Sequence, residues 1–91
     1  MALFTIILEF DGGTYIEQVI ANSIDDAQYC WKKQFLHLNV LGEMTERFLD
    51  SFSNDYKEFG LTKIEGMSGL WTFSFKFNRK SARGHFINSA S

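Results

Sequence analysis

The stretch Leu70–Phe77, LWTFSFKF, alternates residue by residue between large rings and smaller or polar side chains. Trp71, Phe73, Phe75 and Phe77 share one parity, and Leu70, Thr72, Ser74 and Lys76 share the other. Successive side chains of a strand point to opposite faces, so the spacing predicts a strand with four aromatic rings turned toward a core. Burying one such ring removes roughly 150–250 Å² from water, which makes this strand the anchor of that core. A chain of 91 residues lies near the lower limit for a single hydrophobic core, and ten phenylalanines compensate for the small volume. One domain over residues 1–91 is expected.

Residues 3–10, LFTIILEF, read as a strand with Phe4, Ile6, Leu8 and Phe10 on one face. Asp11-Gly12-Gly13 follows, then a second strand over Thr14–Ala21. Asp-Gly between two β-rich runs is a strong hairpin signal, because glycine takes positive φ without strain. The other face of the first strand carries Leu3, Thr5, Ile7 and Glu9 and is only partly polar. Leu3 and Ile7 are therefore candidate interface residues, unless the C-terminal segment covers them.

Ser23 with Asp26 three residues on predicts a helix N-terminus. Ile24, Ala27, Trp31, Phe35 and Leu38 recur at helical spacing as its buried stripe, and Asn39 suits its end. Leu41, Met44, Phe48 and Phe52 suggest a second helix. It either stops near Ser53 or continues through Tyr56 and Phe59 to a cap at Gly60. A short edge strand over Leu61–Glu65, the aromatic strand, a connection over Asn78–Arg83 and a last strand over Gly84–Asn88 complete the chain, with a frayed end at Ser89–Ser91. The expected class is α+β: an antiparallel sheet of about five strands in the order ββααβββ, with two helices packed on one face.

Net charge is −2, unevenly spread. Lys76, Arg79, Lys80 and Arg83 crowd one short segment without an acid, and His85 lies just beyond. Cations interleaved with Phe77 and Phe86 suit phosphate and base contacts, so these five residues form a candidate binding patch. Against that stands a sequence pI of about 5.6, where nucleic-acid domains are usually basic.

No catalytic or metal constellation is legible. Asp11-Gly12-Gly13 lacks the spacing of a phosphate loop, and the lone Cys30 with His37 and His85 makes no ligand pairing. Cys30, His37 and Asp26 could meet only through the fold, and Asp26 is already explained as part of a helix cap. No enzyme activity, cofactor or metal is expected. One cysteine permits no intrachain disulfide, and the start MALFTIILEF does not read as a signal peptide, so a cytoplasmic protein without a membrane partner is expected.

The Asp-Gly-Gly hairpin followed by a capped helix beginning SIDDA resembles the start of HicB-type antitoxins, over residues 3–38. That family has a further strand before its helix, which this chain lacks. The resemblance implies a small αβ domain that occludes a partner protein. A protein partner, with self-association as one form of it, is the leading expectation, and nucleic-acid binding through the basic segment is the alternative.

Overall fold

The computed structural model describes residues 1–59, 61–64 and 66–89, and the backbone alone over 54–59. Five strands and two long helices follow in the order β1 (Ala2–Phe10), β2 (Gly13–Ala21), α1 (Ile24–Leu38), α2 (Thr45–Phe59), β3 (Thr62–Lys63), β4 (Leu70–Phe77) and β5 (Lys80–Asn88). A 3-10 turn over Gly42–Met44 leads into α2. The strands form one antiparallel sheet in the spatial order β2-β1-β5-β4-β3. The chain is thus an α+β domain whose helices cover one sheet face.

The aromatic alternation governs the covered face. Phe73, Phe75 and Phe77 are buried from β4, beside Phe4, Ile6, Leu8 and Phe10 from β1 and Phe86 from β5. Trp31 of α1 is fully buried among Phe35, Phe52, Phe73 and Phe86, at ring separations of 5.2–6.2 Å. Phe48 of α2 holds the other half of the core, against Phe10, Phe35, Phe75 and Phe77 at 5.0–5.8 Å. Apart from the stacked Phe35–Phe48 pair, these contacts are tilted or edge-on, geometries that suit the ring quadrupole and add to simple area burial. Trp71 is only half-buried, packed on Phe4 at the sheet margin.

Gly84 leaves no room for a side chain. It stands opposite Phe73 in the β4–β5 ladder, and the Phe73 ring lies over its backbone. A Cβ at Gly84 would come within 2.5 Å of that ring and of the Ile7 carbonyl oxygen. Glycine is required here by close approach rather than by backbone conformation.

Two hairpin turns fix the registers. Asp11 and Gly12 have φ of 51° and 80°, and Asn78 and Arg79 have φ of 52° and 65°. Two consecutive positive-φ residues make a type I′ turn, whose twist matches that of the flanking strands. The first turn is one residue shorter than the Asp-Gly-Gly motif suggests, since Gly13 already pairs with Phe10. The second replaces the long connection expected over Asn78–Arg83. Ser81, Ala82 and Arg83 continue strand alternation with Ala82 buried, so β5 begins at Lys80.

The Ser23 hydroxyl accepts from the Asp26 amide at 3.1 Å, as its spacing predicts. The Asp26 carboxylate accepts from the Asn22 amide at 3.0 Å, one residue before the expected partner. Asn39 ends α1 in the left-handed conformation, its amide bonded to the Leu36 carbonyl. Leu38 does not join the buried stripe; it lies past the last core-facing turn and is exposed. The α2 backbone continues to Phe59, well past Ser53. Of the end expected to fray over Ser89–Ser91, Ser89 is held, its amide donating to the Leu3 carbonyl at 2.7 Å; Ala90 and Ser91, the proposed contacts of Tyr56 and Phe59, the Gly60 cap and the Glu65 end of the edge strand lie outside what is described.

Two stability predictions follow from this packing. Gly84→Ala should cost about 1–3 kcal/mol by overpacking, read as a lowered urea midpoint with the m-value unchanged. Ser23→Ala should cost about 1 kcal/mol through the lost cap, and an unchanged midpoint would remove that assignment.

Candidate functional site

Among the described residues no helix covers the sheet's second face. Strand parity and register place Leu3, Thr5, Ile7 and Glu9 of β1 there, beside Thr14, Ile16, Gln18 and Ile20 of β2. From the other side come Arg83, His85 and Ile87 of β5, then Leu70, Thr72, Ser74 and Lys76 of β4. No aromatic residue falls among them. The aliphatic side chains meet in cross-strand pairs, Leu3 with Ile20, Ile7 with Ile16 and Leu70 with Ile87.

Composition changes along the strands. One end is aliphatic, crossed by a short polar ladder in which the Gln18 amide donates to the Thr5 hydroxyl at 3.0 Å. That hydroxyl also bonds the Ser89 hydroxyl at 2.6 Å. The other end holds Glu9 opposite Arg83, with Ser74 and Lys76 nearby. An open groove of about 450 Å³ runs there between Glu9, Thr72, Phe73, Ser74, Arg83 and His85. A second depression, about 390 Å³ beside the first hairpin turn, shares Glu9 and Arg83 with it.

Leu3 and Ile7 lie where the sequence places them, half-buried on this face. The C-terminal strand does not cover them, because β5 pairs alongside β1 in the sheet. Ile16 and Ile20, 64% and 63% exposed on edge strand β2, are the largest apolar contributors and were not singled out by sequence. Their outward direction is set on the covered side. The Glu17 carboxylate turns in, accepting from the Trp31 indole N–H at 3.2 Å and from the Gln34 amide at 3.0 Å.

The basic segment does not converge on one site. Lys76, Arg83 and His85 share the open face, Arg79 occupies the hairpin tip, and Lys80 has the opposite parity, in register with Phe77. Lys80 Nζ pairs with Asp11 Oδ1 at 2.8 Å. The tip is held on the helical side, where the Asn78 amide points at the Met44 sulfur and the Arg47 guanidinium lies over the Phe77 ring. The Cys30 thiol is 3.9 Å from the Asp26 carboxylate one turn before it, and His37 is exposed in the last turn of α1. Among the described residues no cluster of three or more histidine, cysteine, aspartate or glutamate side chains could hold a metal, and no helix is long and apolar enough to cross a membrane.

Compared with models of protein families, with curated protein sequences and with solved structures, the chain matches none. The likeness to HicB-type antitoxins stands on the hairpin-and-cap layout alone.

Arg79 adopts a left-handed conformation that glycine takes without a steric penalty. Arg79→Gly should therefore raise stability, by up to about 1 kcal/mol, in equilibrium denaturation. A lowered midpoint would mean that the arginine side chain contributes more than its backbone costs.

Proposed function

We propose that this chain is a non-enzymatic docking domain that receives a partner protein on the open face of its sheet. The observation that carries the reading is the aliphatic end of that face, where six leucine and isoleucine side chains gather and, among the described residues, no helix or strand lies over them. Contiguous apolar surface of this kind is usual at protein-binding sites and unusual on an isolated soluble domain. An inhibitor that occludes its partner, as the antitoxin-like layout implies, is one form of this activity.

Binding of nucleic acid through the basic segment is the weaker reading. Lys80 is paired with Asp11, Glu9 sits opposite Arg83, and Arg79 at the hairpin tip stands apart from Lys76 on the open face. A phosphate-tracking surface needs unpaired cations along one line.

The two readings separate in one experiment. Affinity purification from the native host, with and without nuclease, should return a stoichiometric protein whose retention tolerates raised salt. Ile16→Glu/Ile20→Glu should abolish its capture while leaving the fold intact, because both positions are solvent-exposed. Serine at Lys76, Arg79, Lys80 and Arg83 should not abolish it. Material lost to nuclease, to moderate salt and to the four serines, but indifferent to the isoleucines, would overturn docking in favour of nucleic-acid binding.

A further inference from the structure

We infer that the free edge of β2 takes a second copy of this chain, strand against strand and antiparallel, about a two-fold axis through Gln18 perpendicular to the sheet. The inference goes beyond the docking reading: it uses the edge of the sheet and leaves Leu3, Ile7, Leu70 and Ile87 open to a different protein. Its basis is that this edge is unprotected and that its residue order is symmetric about Gln18.

β2 ends the sheet on one side and β3 on the other. β3 is two residues long and carries Lys63, both devices that blunt an edge. β2 has nine residues, without lysine, arginine or proline, and pairs with β1 without a bulge. Its one charge, Glu17, is turned in to Trp31 and Gln34. The type I′ turn makes Phe10–Gly13 a hydrogen-bonded pair, and such pairs alternate along the ladder. Thr14, Ile16, Gln18 and Ile20 therefore direct their N–H and C=O groups away from β1, and all four residues are exposed. Among the described residues the one partner of these groups is the Gln34 amide, 3.5 Å from the Gln18 carbonyl oxygen, which keeps a second lone pair. A long, regular edge of this kind is a template for another strand.

The order of side chains names the strand that fits. On the open face the centre of β2 reads Ile16, Gln18, Ile20, the same from either end. An antiparallel contact centred on Gln18 sets Ile16 of each copy opposite Ile20 of the other, and Gln18 opposite Gln18. Each of these pairs exchanges both main-chain hydrogen bonds. On the helical side Glu17 then comes opposite Val19 of the other copy, and its carboxylate stays bonded to Trp31 and Gln34. A contact centred on Glu17 would set two like charges opposite one another, with Ile16 against Gln18 and Ile20 against Thr14, which is unfavourable. Only the register at Gln18 matches both isoleucines. The two-fold keeps both open faces on one side, so the pairs Leu3–Ile20 and Ile7–Ile16 of each copy join across the new strand pair. The contact is isologous and closes as a dimer.

Sedimentation equilibrium of the purified protein across the micromolar range should show a monomer–dimer transition. Gln18→Pro removes the central outward N–H without breaking the β1 ladder and should weaken the dimer about tenfold or more. Gln18→Val keeps that N–H and should dimerise like wild type. Charge reads the register. Ile16→Glu/Ile20→Glu sets glutamate opposite glutamate at both pairs and should abolish the dimer, whereas Ile16→Lys/Ile20→Glu sets lysine opposite glutamate and should retain it. Both positions are exposed, so these variants remain decisive if the proline variant fails to fold. Leu70→Ser/Ile87→Ser, on the same face but away from the edge, should leave the dimer unchanged. A wild-type chain monomeric throughout, or Gln18→Pro dimerising like wild type, overturns the edge dimer. Loss of the dimer in Ile16→Lys/Ile20→Glu, or its survival in the double glutamate, overturns the register. Loss of the dimer in Leu70→Ser/Ile87→Ser would assign the contact to the open face and overturn the edge.

Discussion

The hydrogen bond from the Trp31 indole to Glu17 decides what this domain shows to its surroundings. Trp31 is fully buried at the centre of the aromatic layer, and a buried indole N–H needs an acceptor. Glu17 supplies it from an edge strand, with Gln34 holding the other carboxylate oxygen. Once Glu17 is turned toward α1, strand parity turns Ile16 and Ile20 to the open face. The exposed isoleucines and the buried tryptophan are two consequences of one orientation of β2. Substitution of Glu17 by an apolar residue would leave the indole unpartnered and weaken the preference that keeps β2 this way round.

Much of the covered layer was legible in the sequence because its signal is redundant. Phe4 to Phe10 and Trp71 to Phe77 alternate strictly, and Ala27, Trp31 and Phe35 recur at helical spacing, so no single residue had to be read correctly. The open face was less legible because TYIEQVIA is ambiguous: Tyr15, Val19 and Ala21 on one parity are no less apolar than Ile16 and Ile20 on the other. Turn length acts in the same direction as the Trp31–Glu17 hydrogen bond. A three-residue Asp-Gly-Gly connection would pair Phe10 with Thr14 and send Ile16 and Ile20 to the core; the two-residue turn pairs Phe10 with Gly13 and sends them out. A slip of one residue exchanges the faces of the whole strand. Leu3 and Ile7 were identifiable because their own strand has an unambiguous aromatic and aliphatic partner face.

The basic segment failed as a unit for a related reason. Reading Asn78–Arg83 as a loop lets its cations gather, whereas a tight turn at Asn78-Arg79 forces alternation from Lys80 onward. Alternation scatters charges between faces and places Lys80 beside Asp11, the turn residue of the neighbouring hairpin. That ion pair is half-exposed and contributes at most about 1 kcal/mol. Its larger effect is to remove one cation from any shared surface. Arg83 stays on the open face but at a level that already holds Glu9.

The division of apolar residue types between the two faces bears on how the open one can be both apolar and exposed. Rings occupy the covered side, where each buries a large area against the helices; isoleucine, leucine and threonine occupy the open side. Branched aliphatics favour extended backbone and pack against cross-strand neighbours, each pair contributing roughly 0.2–1 kcal/mol without any covering layer. Leu3–Ile20, Ile7–Ile16 and Leu70–Ile87 are such pairs, so this face stabilises the sheet of an isolated chain. Aromatic residues in the same places would expose far more apolar area in water and would require a cover for solubility. The paired aliphatics stabilise the face without a cover, and the docking role proposed for it would add the free energy of burying them.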